Sequence, residues 1–186
     1  MKKIVVLVAH PNKDSFCSAL AASYAEGSIA KGNEVKLIHL GELEYNPNLR
    51  YGYQKRMDLE PDLLTALELI QWADHLVWIY PVWWYGLPAI AKGFIDRLFL
   101  PGIAFALQPN GVDTAGLFSP KTAQFITTLD HDEKYYKEIC LAPSEHQLTL
   151  SLQLCGIEVI QVQYIELINT ITEQQRGLWI EKVRNL

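Results

Sequence analysis

The chain has 186 residues, of which 49% are hydrophobic, 11% aromatic and 20% charged, and its formal net charge is −5. This composition is too hydrophobic and too aromatic for a disordered chain, and the length fits one domain spanning residues 1–186. The acidic balance disfavours nucleic acids and anionic membranes as the main partners.

Cysteine usage and hydropathy bound the class of protein further. The three cysteines, Cys17, Cys140 and Cys155, include no C-x-x-C pair, so neither a disulfide framework nor a structural zinc site is expected. The apolar run at residues 4–9 is shorter than a signal peptide requires, and no window approaches the ~20 apolar residues of a membrane span. We therefore expect a soluble, cytoplasmic protein without membrane insertion.

Hydrophobic periodicity predicts strands that alternate with helices along the chain. In chain order, the predicted elements are a strand at 4–9, a helix at 16–31, a strand at 34–40, a helix at 62–73, a strand at 75–80, a helix at 89–99, a strand at 121–128, helices at about 133–141 and 144–155, a strand at 158–163 and a helix at 172–184. Residues 100–120 hold three prolines and three glycines and predict a long surface excursion.

This alternation is typical of an α/β protein in which helices cover both faces of one parallel sheet. The order 2-1-3-4-5 is expected for a doubly wound sheet with five strands. Ligands of such sheets bind beyond the carboxyl ends of the strands, at the point where the strand order reverses. In this chain that point lies at the ends of predicted strands 1, 3 and 4.

The turn after strand 1 is the first candidate site. Ser15 is a good N-cap, so Phe16, Cys17 and Ser18 open the next helix with unpaired backbone N–H groups that attract a phosphate. The hydroxyls of Ser15 and Ser18 and the side chain of His10 add further donors. The alternative is that Ser15 only caps the helix and His10 only packs. A helix N-terminus also lowers a thiol pKa, which makes Cys17 more suspect than Cys140 and Cys155, both expected in buried helical positions.

The loop after strand 3 is the second candidate, because Trp83 and Trp84 are adjacent and cannot both point into the core. Aromatic side chains at this end suit a flat, π-rich ligand, with Pro81 helping to fix the loop backbone. A dimer interface or a core plug is the alternative explanation.

The end of strand 4 is the third candidate. Thr127 and Thr128 are placed to hydrogen-bond the edge of a heteroaromatic ring, although β-branched residues are also ordinary strand filler. Tyr135 and Tyr136 follow shortly and can close a pocket there. We find no metal-ligand spacing and no G-x-S-x-G elbow, which disfavours a metalloenzyme and a serine hydrolase.

Together these segments resemble the NAD(P)H:quinone oxidoreductase (DT-diaphorase-like) family, whose members are flavodoxin-like flavoenzymes. The resemblance covers about residues 3–136, and its motifs are Ala9-His10-Pro11, Ser15-Phe16-Cys17, Pro81-Val82-Trp83-Trp84-Tyr85-Gly86-Leu87-Pro88-Ala89, Lys92-Gly93, Asp96-Arg97 and Thr127-Thr128.

The resemblance implies a bound flavin, FMN rather than FAD, and NADPH or NADH as the electron donor. The residues that match the family's flavin site are His10, Ser15, Phe16, Cys17, Ser18, Pro81, Val82, Trp83, Trp84, Tyr85, Thr127, Thr128, Leu129 and Asp130, and Tyr135 matches a catalytic tyrosine. It further implies a homodimer that passes two electrons in two half-steps to a quinone or another flat aromatic acceptor.

Two departures from the family pattern are visible. Leu129 and Asp130 stand where many members have two glycines, and His131 and His146 are the candidates for the histidine that partners the tyrosine. Two alternative functions stay open: a flavin-binding ancillary subunit of a potassium efflux system, and a flavodoxin-type one-electron carrier.

Overall fold

A computed structural model describes residues 1–109 and 113–186 of the chain. The strands are β1 (Lys3–Val8), β2 (Glu34–His39), β3 (His75–Pro81), β4 (Phe105–Leu107), β5 (Thr114–Gly116), β6 (Lys121–Thr128) and β7 (Ile157–Ile165). The helices are α1 (Phe16–Ala30), α2 (Pro61–Trp72), α3 (Ala89–Leu98), α4 (Pro143–Leu154) and α5 (Glu173–Arg184). A short 3₁₀ helix at Leu40–Glu42 and a π-helical turn at Tyr135–Ile139 complete the elements.

Five of the strands form one sheet in the order β2-β1-β3-β6-β7, and every neighbouring pair is parallel. Since β6 and β7 are the fourth and fifth of these strands along the chain, the predicted order 2-1-3-4-5 is confirmed. All seven residues of β3 are buried, as expected for the central strand of a sheet covered on both faces.

The two faces of the sheet are covered by different helices, which makes the fold doubly wound as predicted. On one face, α1 and α5 pack Leu20 and Val183 against Val6 of β1. On the other, α2, α3 and α4 enclose a larger core that includes Trp78 and Phe94. Among the described residues, no helix is long and apolar enough to cross a membrane.

Two segments differ from the prediction. The excursion at 100–120 contains an antiparallel hairpin of β4 and β5, which was not predicted because three-residue strands are too short to show periodicity; its residues 110–112 lie outside the described residues. The helix predicted at 133–141 is a π-helical turn, which ends where Leu141 and Ala142 adopt positive φ angles of 62° and 44°.

A buried arginine in the last turn of α3 attaches that helix to the irregular segment before α2. Arg97 is 0% exposed and donates to both carboxylate oxygens of Glu60, at 2.8 and 3.0 Å, and to the carbonyls of Asn46 and Asp58. One turn earlier, a Cβ on Gly93 would lie 2.6 Å from the Pro47 side chain, so only glycine permits this approach. The irregular segment before α2 is therefore attached to α3 at two levels.

Replacing Glu60 with glutamine is expected to destabilise the fold by about 3 kcal/mol, because Arg97 would keep a buried charge without its partner. Urea unfolding at neutral pH measures this. The hydrogen bond with Arg97 lowers the pKa of the Glu60 carboxyl. The stability advantage of the wild type over Glu60→Gln is therefore present at neutral pH and fades as the pH falls through the lowered pKa.

The matched control is Asp96→Asn, which breaks the exposed pair between Lys92 and Asp96. That change is expected to cost well under about 1 kcal/mol, as exposed pairs do. Equal losses in the two variants would show that Arg97 does not depend on Glu60.

Candidate functional site

The candidate site lies where β1, β3 and β6 end side by side. Main-chain hydrogen bonds continue the ladder just beyond the strands, from Ala9 N to the Ile79 carbonyl at 2.8 Å and from Val82 N to the Thr128 carbonyl at 2.9 Å. The loops after these strands therefore leave the sheet from fixed, neighbouring positions.

An aromatic cavity of ≈ 540 Å³ opens between the loops after β3 and β6. Its lining residues are Val82, Trp83, Trp84, Tyr85, Leu129, Asp130, His131 and Tyr136. This volume falls within the range of small-molecule and cofactor sites.

The two tryptophans do not fill the core. Trp83 is 44% exposed and Trp84 is 98% exposed, which excludes the core plug considered from the sequence. Trp84 and Tyr85 have positive φ angles of 51° and 62°, a left-handed conformation that is strained for large side chains. Two hydrogen bonds between Trp83 and Gly86, of 2.9 and 3.1 Å, close the turn around them.

A second cavity of ≈ 250 Å³ lies at the N-terminus of α1. It shares Val82, Trp83 and Asp130 with the first, so the two are neighbouring parts of one cleft. The other lining residues are His10, Phe16, Cys17, Pro81, Thr128, Ile168 and Asn169. The N–H groups of Phe16 and Cys17 open α1 and lie among those that a helix cannot pair internally, so this end of the cleft offers backbone donors to an anion beside the Asp130 carboxylate.

A polar aromatic cluster borders the first cavity. The His131 ring stacks parallel to Tyr85, with centroids 6.2 Å apart, and lies 4.8 Å from the centroid of Tyr135. A hydrogen bond with the Tyr85 hydroxyl raises the pKa of Tyr135. Of the two candidate histidines, only His131 lies beside Tyr135 in this cluster, whereas His146 is exposed in the first turn of α4.

Comparison with known proteins decides the family. The family model described as "Flavodoxin-like fold" matches residues 2–184. An "Uncharacterized NAD(P)H oxidoreductase" of Haemophilus influenzae is 30% identical over 183 residues, which cover 95% of this chain and 90% of that protein. The chain belongs to the NAD(P)H:quinone oxidoreductase family. It is accordingly an oxidoreductase with the flavodoxin-like fold, as the sequence predicted.

Two further proteins have similarity along most of the chain. "NAD(P)H dehydrogenase [quinone] 1" of Cavia porcellus is 26% identical over 191 residues, covering 88% of this chain and 68% of that protein. An FMN-dependent NADH-azoreductase of Bacillus anthracis, solved in complex with FMN, has a TM-score of 0.76 at 15% identity and covers 99% of this chain and 96% of that one. The latter likeness concerns the fold alone.

Within this family member, the structure brings most of the predicted site residues to the cleft but treats the serines differently. The Ser15 side chain caps α1 by accepting from Ser18 N at 3.3 Å, as predicted. Its hydroxyl also lies 3.1 Å from that of Ser18, and neither serine is among the described residues that line the cavities. His10 is held between the backbone of Asn12 and the edge of Trp83, whose ring centroid is 5.4 Å away.

The strand-end threonines occupy different environments. Thr128 lines the second cavity, and its carbonyl accepts from Val82. Thr127 is buried outside both cavities, and its hydroxyl has no hydrogen-bond partner among the described residues. The structure therefore does not place the Thr127 side chain where it would meet the edge of a ligand.

Leu129 and Asp130 both line the first cavity but differ in exposure. Leu129 is buried against Tyr136 and Tyr164, whereas Asp130 is exposed and accepts a 2.8 Å hydrogen bond from the Asn169 amide. Only the second of these two side chains adds charge to the cleft.

The segment after β7 also contributes to the cleft, which was not predicted from the sequence. Ile168 and Asn169 line the second cavity, and the Arg176 guanidinium lies 5.2 Å from the centroid of Phe16 while donating to the Ile168 carbonyl. A capping box at Thr172 and Gln175 marks the start of α5 and was the one available signal that this segment turns back toward the sheet.

Cys17 does not have the low pKa of a reactive thiol. The interpretation suggested by its position at the helix N-terminus was therefore wrong. Burial raises the pKa of the Cys17 thiol to about 12, and its hydrogen bond with Thr128 offsets only part of that effect. Burial likewise raises the pKa of Cys155 to about 11. Cys140, expected to be buried, is half-buried at the end of the π-helical turn.

We therefore expect that an alkylating reagent at about pH 8 labels Cys140 of the native protein well before the two buried cysteines, since the thiolate is the reacting form. Intact mass and peptide mapping measure the order of labelling. Unfolding in urea should make all three react alike, and Cys140→Ser should abolish rapid native labelling. Rapid labelling of native Cys17 would contradict the burial described here.

Proposed function

We propose that the chain is a flavin-dependent NAD(P)H:quinone oxidoreductase, which passes two electrons from NADPH or NADH to a quinone or a similar flat aromatic acceptor in two half-steps. The observation that carries this proposal is the cleft itself. Its aromatic part, of ≈ 540 Å³, adjoins a smaller part at a helix N-terminus, of ≈ 250 Å³. That pairing matches a ligand with a planar ring system at one end and a phosphate at the other.

The residues present fit a flavin on both counts. Indole and phenol rings at Trp83, Trp84 and Tyr85 offer flat apolar surfaces to the ring system. The N–H groups at the start of α1, together with His10, offer donors to the phosphate end. We propose FMN rather than FAD, because a protein of the same fold over almost the whole chain was solved with FMN.

In this proposal the cofactor-binding residues divide among three segments. His10, Ser15, Phe16, Cys17 and Ser18 form the phosphate segment, with the two serines shaping the helix start rather than lining the cleft. Pro81, Val82, Trp83, Trp84 and Tyr85 form the segment along the ring, and Thr127, Thr128, Leu129 and Asp130 form the segment at its other edge.

When bound, the flavin supplies the redox chemistry, as it accepts and returns a hydride. The chain's own residues position the reactants. Trp84 and Tyr85 offer a surface against which a nicotinamide or a quinone can stack, which holds the reacting atoms close and displaces water. The Tyr135 hydroxyl is placed to donate a hydrogen bond to the acceptor oxygen as negative charge develops there. The Tyr135 hydroxyl holds its proton at neutral pH as an ordinary phenol does, and the hydrogen bond with Tyr85 raises its pKa further.

Three further features belong to the proposal as predictions. We propose that residues 1–186 act as one flavin-binding domain, that the protein is a cytoplasmic homodimer, and that nucleic acid is not a partner. The exposed indole of Trp84 beside the cleft supports an interface that closes the site from above. The relatives named above give no support to the potassium efflux subunit considered from the sequence.

The first test is the visible spectrum of the purified protein before and after addition of FMN. We expect flavin absorption that persists through gel filtration, bleaching on addition of NADH or NADPH, and recovery of colour on addition of a quinone. A protein that stays colourless with FMN would overturn the proposal.

Trp84→Ala is the sharpest variant for the same assay, since its side chain lines the cleft but supports no part of the core. Loss of its stacking surface is expected to weaken FMN binding about tenfold. Tyr53→Ala is the control, because Tyr53 is similarly exposed at a separate surface depression. Equal FMN affinity in Trp84→Ala and the wild type would remove Trp84 from the site.

Tyr135→Phe separates the two half-steps. Loss of the hydroxyl is expected to slow oxidation of the reduced protein by a quinone about tenfold, the cost of roughly one hydrogen bond to a charged group. Reduction by NADH should keep its wild-type rate. Stopped-flow absorbance measures each half-step, with Tyr53→Phe as the control. An unchanged quinone rate would exclude Tyr135 from the reaction.

A further inference from the structure

We propose that Asp130 makes the cleft select acceptors by charge, favouring neutral and cationic aromatic acceptors over anionic ones. This inference rests on the proposed function and extends it to the chemical class of acceptor. It follows from the position of one carboxylate and from the electrostatic character of everything around it.

Asp130 is the sole Asp, Glu, Lys or Arg among the described residues that line the two cavities. It lines both of them, so it lies at their junction and not at a distant rim. The rest of the lining is aromatic, aliphatic or neutral polar, apart from His10 and His131. The fixed charge that the described lining side chains contribute to the cleft is therefore a single negative one.

No cation among the described residues pairs with this carboxylate. Its hydrogen-bond donor is the neutral amide of Asn169, and it forms no ion pair with any residue in 1–109 or 113–186. The guanidinium on that side of the cleft, Arg176, is bound to the Ile168 carbonyl and covers the Phe16 ring.

The backbone holds Asp130 in place. On its N-terminal side, Leu129 N donates to the Ile165 carbonyl and the Leu129 carbonyl accepts from Ile168 N, both at 2.9 Å. The Leu129 side chain is buried and the Asn169 amide binds the carboxylate, which together hold the exposed Asp130 at the cleft.

The neighbouring surface adds charge of the same sign. The adjacent depression is lined by four carboxylates against two lysines, Lys134 and Lys137, and Lys137 already pairs with Glu133 at 3.3 Å. This depression therefore adds net negative charge, and the cation beside the described cleft lining is Arg176, next to Phe16 and Ile168.

The expected size of the effect is modest, because Asp130 is exposed. A single charge a few ångströms from the acceptor, partly screened by water, should alter its rate or affinity about fivefold at low salt. Such an interaction weakens as the ionic strength rises, since the Debye length falls to about 3 Å at 1 M salt.

The test uses a naphthoquinone sulfonate and the sulfonamide of the same ring, which have similar shape and differ in charge. Each acceptor is mixed with protein already reduced by NADH, so that the charges of the nucleotide do not enter the comparison. In the wild type the sulfonamide should react about fivefold faster than the sulfonate. Asp130→Asn, which keeps an oxygen for the Asn169 amide, should bring that ratio close to one.

Glu158→Gln is the matched control, because it also removes one exposed carboxylate. Glu158 lies at the start of β7, in register with Thr122 of β6, and therefore at the end of the strands opposite the cleft. Its ratio should equal that of the wild type. A ratio that is the same in Asp130→Asn and the wild type would overturn the proposal. So would a wild-type ratio that is insensitive to salt, a measurement that needs no variant.

A direct binding measurement separates this inference from the proposed function. Trp83 and Trp84 line the cleft, so quenching of their fluorescence reports the dissociation constants of both probes without turnover. If the wild type does not reduce the neutral sulfonamide, the proposed function fails. If the sulfonamide is reduced but the two dissociation constants are equal, only the charge selection fails.

Discussion

Three main-chain hydrogen bonds just beyond the strands decide where every loop of the site begins. Ala9 N joins β1 to β3, Val82 N joins β3 to β6, and Leu129 N joins β6 to β7, at 2.8 to 2.9 Å. Parallel strands place their carboxyl ends at one edge, and these bonds extend the ladder into the loops themselves. Backbone pairing thus determines the positions from which the cleft side chains extend, independently of the contacts that those side chains make.

The aromatic loop after β3 is held against its own conformational preference. Trp84 and Tyr85 both lie in the left-handed region, where bulky residues cost about 1–3 kcal/mol each. On one side the loop is closed by Trp83 and Gly86. On the other it runs into α3, which Arg97 attaches to a segment more than thirty residues earlier in the chain. The two strained aromatic residues therefore lie between a hydrogen-bonded turn and a helix that is anchored near its far end.

The helices and strands of the sheet were predictable because the local periodicity of apolar residues indicates them. Alternation of apolar runs and amphipathic segments predicted the five-stranded sheet and its order, and the ends of its strands predicted the place of the cleft. Contacts between distant residues were not predictable in this way. Glu60 with Arg97 and Asn169 with Asp130 each join residues that only the folded chain brings together.

Cys17 shows why a local rule can also predict the wrong sign. The N-terminus of a helix stabilises a thiolate by a fraction of a charge, whereas removal of that thiolate from water costs far more. The N-cap in the sequence reveals the effect of the helix N-terminus. The cost of burial depends on how α1 packs against the sheet, which the sequence does not reveal. Burial raises the pKa of the Cys17 thiol to about 12. The same argument applies to Thr127, whose neighbour Thr128 reaches the cleft while its own side chain does not.

Strain and chemistry meet at Tyr85. Its left-handed backbone directs the ring onto His131 and its hydroxyl to Tyr135, although Tyr85 and Tyr135 belong to loops after different strands. The contact with the Tyr85 hydroxyl is the largest cause of the raised Tyr135 pKa. The pKa of Tyr135 is therefore raised by a strained residue fifty positions away in the sequence.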